Sequence, residues 1–107
     1  MPADLTIDVS RADAEAVVTL VGEIDGSSVP QLTGTVDTLL RDVPGPGRIV
    51  LNMSGVTFCD SQGLGTLVTL TNKGRVAQTV LVIANASGYL ERVLDVTGLR
   101  HVLLIES

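Results

Sequence analysis

Apolar and polar residues alternate near the start of the chain, which is the pattern of a strand with one wet face. Leu5, Ile7 and Val9 alternate with polar residues, and a second apolar run occupies Val17–Val21. Only the short polar stretch Arg11–Glu15 joins the two runs. We therefore predict that they form an antiparallel hairpin.

Beyond a loop predicted at Gly22–Ser28, helices and strands are predicted in alternation. A first helix is predicted with Ser27 or Ser28 as its cap and Pro44–Gly47 as its stop, because apolar residues recur at helical spacing at Val29, Leu32, Val36, Leu39 and Val43. The other predicted elements are strands at Ile49–Met53, Thr79–Ala84 and Val102–Ile105 and helices at about Ser61–Val76 and around Leu90–Leu94. The order β-β-α-β-α-β-α-β indicates an α/β fold with a mixed, mostly parallel sheet.

The composition predicts one folded domain over residues 1–107. The chain is 45% apolar but has only two aromatic residues, Phe58 and Tyr89, so valine, leucine and isoleucine must build its core. The net charge is −5, and the acidic residues are scattered along the chain. A chain of this charge with so few aromatic residues is not expected to bind nucleic acid or an anionic membrane surface.

Cysteine and histidine are too few for the usual metal or disulfide sites. Cys59 and His101 are the only residues of their types, so we expect no internal disulfide, no metal and no cofactor. No apolar run is long enough to span a bilayer, and Met1–Asp4 lacks the basic start of a signal peptide, which together predict a cytoplasmic protein. No catalytic motif is visible, and we expect a protein that is not an enzyme.

The octapeptide Phe58–Gly65, FCDSQGLG, carries the strongest functional signal of the sequence. It follows the predicted strand Ile49–Met53, so Asp60 and Ser61 stand where the chain turns into the next helix. Backbone N–H groups and the positive end of the helix dipole point at this position, which favours a phosphate on the serine hydroxyl. The alternative is plain capping, because Ser and Asp are the commonest residues at helix starts.

This octapeptide resembles the signature of bacterial anti-sigma factor antagonists, which are small proteins with the STAS fold. Their signature runs from Asp through the phosphorylated Ser to a Gly-Leu-Gly or Gly-Ile-Gly end, and the chain matches it at Asp60, Ser61, Gly63, Leu64 and Gly65. Gln62 departs from the signature, because the family usually has a second hydroxyl residue there. The resemblance extends over essentially the whole chain, with further family-like segments at Gly22–Asp25, Val56–Phe58 and Leu94–Leu99.

The resemblance implies a STAS domain with helices mainly on one face of its sheet and a role in a partner-switching cascade. The unmodified protein would bind an anti-sigma factor, itself an ATP-using serine kinase of the histidine-kinase-like type, and so release a sigma factor. Phosphorylation of Ser61 would end this binding, and a phosphatase of the PP2C type would restore it. The residues implied in partner binding are Asp25, Asp60, Ser61, Gln62 and Gly63. For Asp25 and Asp60 the alternative is that they are ordinary loop carboxylates.

Two other functions stay open from the sequence. The chain could be a STAS scaffold or interaction module that works without phosphorylation. It could also be a redox-responsive regulator that uses Cys59, since a helix N-terminus lowers the pKa of a thiol. We expect instead that Phe58 and Cys59 continue an apolar run into the core, which would leave the thiol inert.

Overall fold

The computed structural model of the chain describes residues 5–106. Met1–Asp4, on which the expectation about a signal peptide partly rests, lie outside this range. In chain order the elements are β1 (Leu5–Ala12), β2 (Glu15–Ile24), α1 (Val29–Arg41), β3 (Arg48–Cys59), α2 (Ser61–Val76), β4 (Val80–Ala84), α3 (Gly88–Thr97), a 3-10 turn (Leu99–His101) and β5 (Ile105–Glu106). The predicted order of strands and helices is confirmed.

The strands form one sheet in the order β1-β2-β3-β4-β5. The strands β1 and β2 are antiparallel, and a tight turn at Asp13 and Ala14 joins them. Every other neighbouring pair is parallel, so the predicted mixed, mostly parallel sheet is confirmed. Parallel strands end at the same edge of a sheet, and each helix here begins after such an end. We call this side, where β2, β3 and β4 end and the three α-helices begin, the carboxyl edge.

One hydrophobic core lies between the helices and one face of the sheet. Leu32 of α1, Leu67 of α2 and Leu94 of α3 are fully buried in the same cluster as Val18 of β2 and Leu51 of β3. Since side chains alternate between the faces of a strand, one shared cluster places the helices on one face, as the resemblance implies. Among residues 5–106 no helix is long and apolar enough to cross a membrane.

Several predicted boundaries are wrong. The connection predicted at Arg11–Glu15 is mostly strand, because β1 runs to Ala12 and β2 begins at Glu15. Gly22–Ile24, predicted as part of a loop, continue β2 and pair with β1 or β3. Helix α1 ends at Arg41, and Val43 is fully solvent-exposed, because Asp42 is extended and Pro44 cannot continue a helix. The last strand is only Ile105–Glu106, because the backbone from Gly98 to Leu103 closes 3-10-type and helical turns instead.

Strand β3 is much longer than predicted and contains two irregularities in its pairing with β2. Its partners step from Asn52 to Gly55 opposite Thr19 and Val21, and from Val56 to Phe58 opposite the consecutive residues Gly22 and Glu23. Each step gives β3 one extra residue, which is a β-bulge. The buried positions of β3 accordingly change from a spacing of two to a spacing of three, at Ile49, Leu51, Met53, Val56 and Cys59.

Candidate functional site

Asp60 and Ser61 divide the start of α2 between them. Asp60 is the N-cap: its backbone is extended and its carboxylate Oδ1 accepts a hydrogen bond from the Gly63 N–H at 2.8 Å. Its own N–H donates to the Ile24 carbonyl at 3.1 Å, which ties the loop to the end of β2. Ser61 is the first residue of the helix and is exposed. Plain capping by Ser61 is therefore wrong, because the capping bond comes from Asp60.

Asp25 organises the neighbouring loop between β2 and α1. Its Oδ1 accepts hydrogen bonds from the Ser27 hydroxyl at 2.7 Å, the Ser27 N–H at 3.0 Å and the Ser28 N–H at 3.2 Å. The Ser27 hydroxyl is the main cause of a pKa for Asp25 below the usual value of 3.8. Ser28 is the N-cap residue of α1, as predicted, but its hydroxyl donates to the Glu23 carbonyl and makes no capping hydrogen bond to the helix.

The loops that carry Asp25 and Ser61 lie against each other at the carboxyl edge. Gly63 is buried, and a Cβ at this residue would stand 2.7 Å from the Ile24 carbonyl oxygen and 2.8 Å from the Cys59 Sγ. Gly63 therefore lets the first turn of α2 pack on β2 and β3, and its expected contact with a partner stays a prediction. Gln62 reaches the other loop, since a Cβ at Gly26 would overlap its Oε1.

The contact between Gly26 and Gln62 was not predicted from the sequence. The two residues are far apart in sequence, and neither is part of a hydrophobic pattern that would predict a contact between them. The departure of Gln62 from the family signature was the one signal that this position differs. The structure thus brings together Asp25, Asp60, Ser61, Gln62 and Gly63, the five residues predicted to bind a partner.

Three acidic residues at the carboxyl edge differ from the ion-paired ones at the opposite end of the sheet in having no ionic partner among the described residues. Glu23, Asp25 and Asp60 lie at the carboxyl edge, and among the described residues none of them forms an ion pair. The basic residues of α1 and α2 lie at the opposite end, in the last turns of these helices: Arg41, Lys73 and Arg75. Arg48, the first residue of β3, lies at the same end. The surface around Ser61 is therefore acidic, and its carboxylates form no ion pair among the described residues.

Cys59 is buried, as predicted, but Phe58 is not. Only 3% of Cys59 is exposed, and burial, together with the nearby charge of Asp60, raises the pKa of its thiol to about 12. This direction is opposite to the one that the redox alternative requires, because a reactive cysteine needs a low pKa. Phe58 pairs with Glu23 and is 40% exposed, so the expectation that it enters the core is wrong.

Comparisons with known proteins give the chain a family. The family model described as "Mlab, STAS domain" matches residues 7–106. An "Anti-sigma-B factor antagonist" of Staphylococcus aureus strain NCTC 8325 is 28% identical over 100 residues, which are 94% of this chain and 91% of that protein.

Solved structures agree with this assignment. An anti-sigma factor antagonist from Mycobacterium paratuberculosis has a TM-score of 0.82 and 26% identity, over 98% of this chain and 87% of the other. The Bacillus cell fate determinant SpoIIAA in its phosphorylated form has a TM-score of 0.71 and 19% identity, over 95% and 92% of the two chains, a likeness of fold alone. Because the family model spans nearly all of the sequence, this chain belongs to the STAS domain family.

Proposed function

We propose that this chain is an anti-sigma factor antagonist that binds an anti-sigma factor through its carboxyl edge and is released by phosphorylation of Ser61. The observation that carries the proposal is the division between Asp60 and Ser61. Asp60 holds the start of α2 through the Gly63 N–H, so the exposed Ser61 hydroxyl is available for modification without loss of the cap. The similarity to proteins named as anti-sigma factor antagonists supports the same role.

The physical effect of a phosphate on Ser61 differs between the free protein and the complex. A phosphate adds about −1.5 to −2 charges at neutral pH. In the free protein it would lie at the N-terminus of α2, where an anion gains about 1 kcal/mol. In the complex it would be enclosed beside Asp60 and Asp25, and burying an unpaired charge costs several kcal/mol. A net penalty of about 3 kcal/mol weakens binding roughly a hundredfold.

The rest of the proposed cascade rests on the resemblance to the anti-sigma factor antagonists. The partner is an anti-sigma factor that is also an ATP-using serine kinase, and its capture by the unmodified chain releases a sigma factor in the cytoplasm. A PP2C-type phosphatase restores the binding form. In this proposal the chain acts by binding alone and is not an enzyme, and Asp25, Asp60, Gln62 and Gly63 surround the serine at the contact.

The second candidate is a STAS interaction module that is never phosphorylated. Gln62 favours it, because this residue stands where the family signature has a second hydroxyl residue. The two candidates share the fold and the contact surface. They differ in whether a bound kinase transfers phosphate to Ser61.

The test uses the anti-sigma factor kinases encoded in the same genome, purified and mixed with the chain and ATP. We expect at least one kinase to bind the unmodified chain and to phosphorylate it on Ser61, as located by mass spectrometry. Ser61→Ala should keep the binding and lose the phosphate. Thr57→Ala is the matched control, since Thr57 is an exposed hydroxyl residue close to Ser61 in the sequence, near the end of β3, and it should behave like the wild type. Phosphate on Thr57 or Ser54, or none with a kinase that binds, would contradict the assignment.

A further inference from the structure

Gln62 lies where it can affect the partner surface. It follows Ser61 directly, is exposed, and lays its side chain over Gly26 in the loop of Asp25. The side-chain hydrogen bonds of the two loops use Asp25, Ser27, Ser28 and Asp60, and among the described residues none uses the Gln62 carboxamide. A donor and an acceptor without a protein partner are thus presented beside Ser61.

Gly26 is matched to Gln62. Its φ lies outside the left-handed region, so the backbone does not require a glycine there. The three heavy atoms nearest to a Cβ at this position all belong to Gln62: Oε1, Cδ and Nε2. The carboxamide of Gln62 therefore occupies the space that a side chain at position 26 would fill.

We propose that Gln62 and Gly26 together determine which anti-sigma factor the chain accepts, an inference that rests on the proposed function. The carboxamide joins the two loops into one surface and offers hydrogen bonds to a partner shaped to receive it. A partner whose surface fits a short hydroxyl residue at position 62 would be kept at a distance by the longer Gln62 side chain and would bind more weakly. Selectivity of this kind combines an attractive feature for one partner with an obstacle for others.

Gly26→Ala tests the pair because it displaces the carboxamide without removing it. The set of variants is Gln62→Ala, Gln62→Ser, Gly26→Ala and the double variant Gly26→Ala/Gln62→Ala. Each is titrated with every anti-sigma factor kinase of the same genome, and thermal unfolding checks that each is folded. The side-chain amide signal of Gln62 in an NMR spectrum reports whether Gly26→Ala has moved it.

We expect the wild type to prefer one kinase and each single variant to lose about tenfold in affinity for it, the effect of one or two lost hydrogen bonds. Gln62→Ser should also reduce the difference in affinity between the preferred kinase and the other kinases. In the Gln62→Ala background, Gly26→Ala should change affinity less than about twofold, since the three atoms nearest to the added Cβ are then absent.

The outcomes separate this inference from the proposed function. If the wild type binds and is phosphorylated on Ser61, but Gln62→Ser and Gly26→Ala show the same affinities for all kinases, the selectivity role is overturned and the proposed function stands. If Gly26→Ala weakens binding equally with and without Gln62, the pairing is overturned. If no kinase binds the wild type, the proposed function fails and this inference fails with it.

Discussion

Gly63 and Gly65 lie two residues apart at the start of α2, and the structure predicts opposite effects for the same substitution at the two positions. A Cβ at Gly63 would stand 2.7 Å from the Ile24 carbonyl oxygen, 2.8 Å from the Cys59 Sγ and 2.9 Å from the Ile24 Cγ2. A Cβ at Gly65 would have no heavy atom within 4 Å apart from its chain neighbours and the nearby backbone of its own helix. Gly63→Ala should therefore destabilise the fold, and Gly65→Ala should stabilise it.

The size of each effect follows from these contacts. Ile24 is fully buried and its carbonyl accepts a hydrogen bond from Asp60, so neither it nor the strand can yield, and α2 must shift. Overpacking of this kind costs about 1–3 kcal/mol, from which the better helix propensity of alanine subtracts up to about 1 kcal/mol. At Gly65 only the propensity gain of about 0.5–1 kcal/mol applies.

Urea and thermal unfolding of the two variants provide the measurement. The gain in helix propensity applies to both variants and cancels, so their stabilities should differ by the overpacking cost of about 1–3 kcal/mol. This difference corresponds to melting temperatures roughly 5–15 °C apart for a domain of this size. Gly65→Ala is the matched control, because it lies in the same helix and involves the same chemical change. Equal stability of the two variants, or a loss at Gly65 as large as that at Gly63, would refute the packing argument.

Three further predictions concern individual side chains. Ser61→Asp should change the free energy of unfolding by less than about 0.5 kcal/mol, because a carboxylate is favourable at a helix N-terminus, yet weaken kinase binding at least about tenfold by calorimetry; a large loss of stability with unchanged affinity would contradict it. Cys59 should react with a thiol reagent at pH 8 only as fast as the protein unfolds, since its pKa is raised to about 12, and Cys59→Ala should cost about 1 kcal/mol in urea unfolding; rapid labelling of the folded protein would contradict it. Ionised Asp25, whose pKa is lowered by the Ser27 hydroxyl, should stabilise the fold above pH 3.8 and lose this effect as the pH falls through its native pKa. Ser27→Ala should raise that pKa in an NMR titration, and an unchanged titration curve would show that the hydroxyl is not its cause.

The elements that keep one hydrophobic period were predictable, and those that change it were not. Helix α2 has the predicted bounds Ser61–Val76. Strand β3 was predicted to end at Met53 because the apolar run Ile49–Met53 stops there. The strand continues, but its buried residues are then three positions apart, at Val56 and Cys59. The bulges that cause this arise from pairing with β2, and pairing leaves no mark on the local sequence of β3.

The candidate site was predictable in its residues but not in their tasks. Asp60 and Ser61 both belong to the residue types that cap helices, and only the extended backbone of Asp60 shows which of them does so. Gly63 has a φ outside the left-handed region, and its role is to let α2 pack closely against Ile24 and Cys59. Such roles depend on contacts with residues of other elements, and these residues are distant in the sequence.

The unpaired acidic residues at the carboxyl edge have a consequence for association and dissociation rates. A positively charged partner would approach the carboxyl edge first, because Glu23, Asp25 and Asp60 there have no paired cation among the described residues. A phosphate on Ser61 would increase this long-range attraction, which acts before contact and is weakened by salt. Association with such a partner should therefore not slow down on phosphorylation. Release must come from faster dissociation, since the desolvation of the new charge is felt only once the surfaces touch.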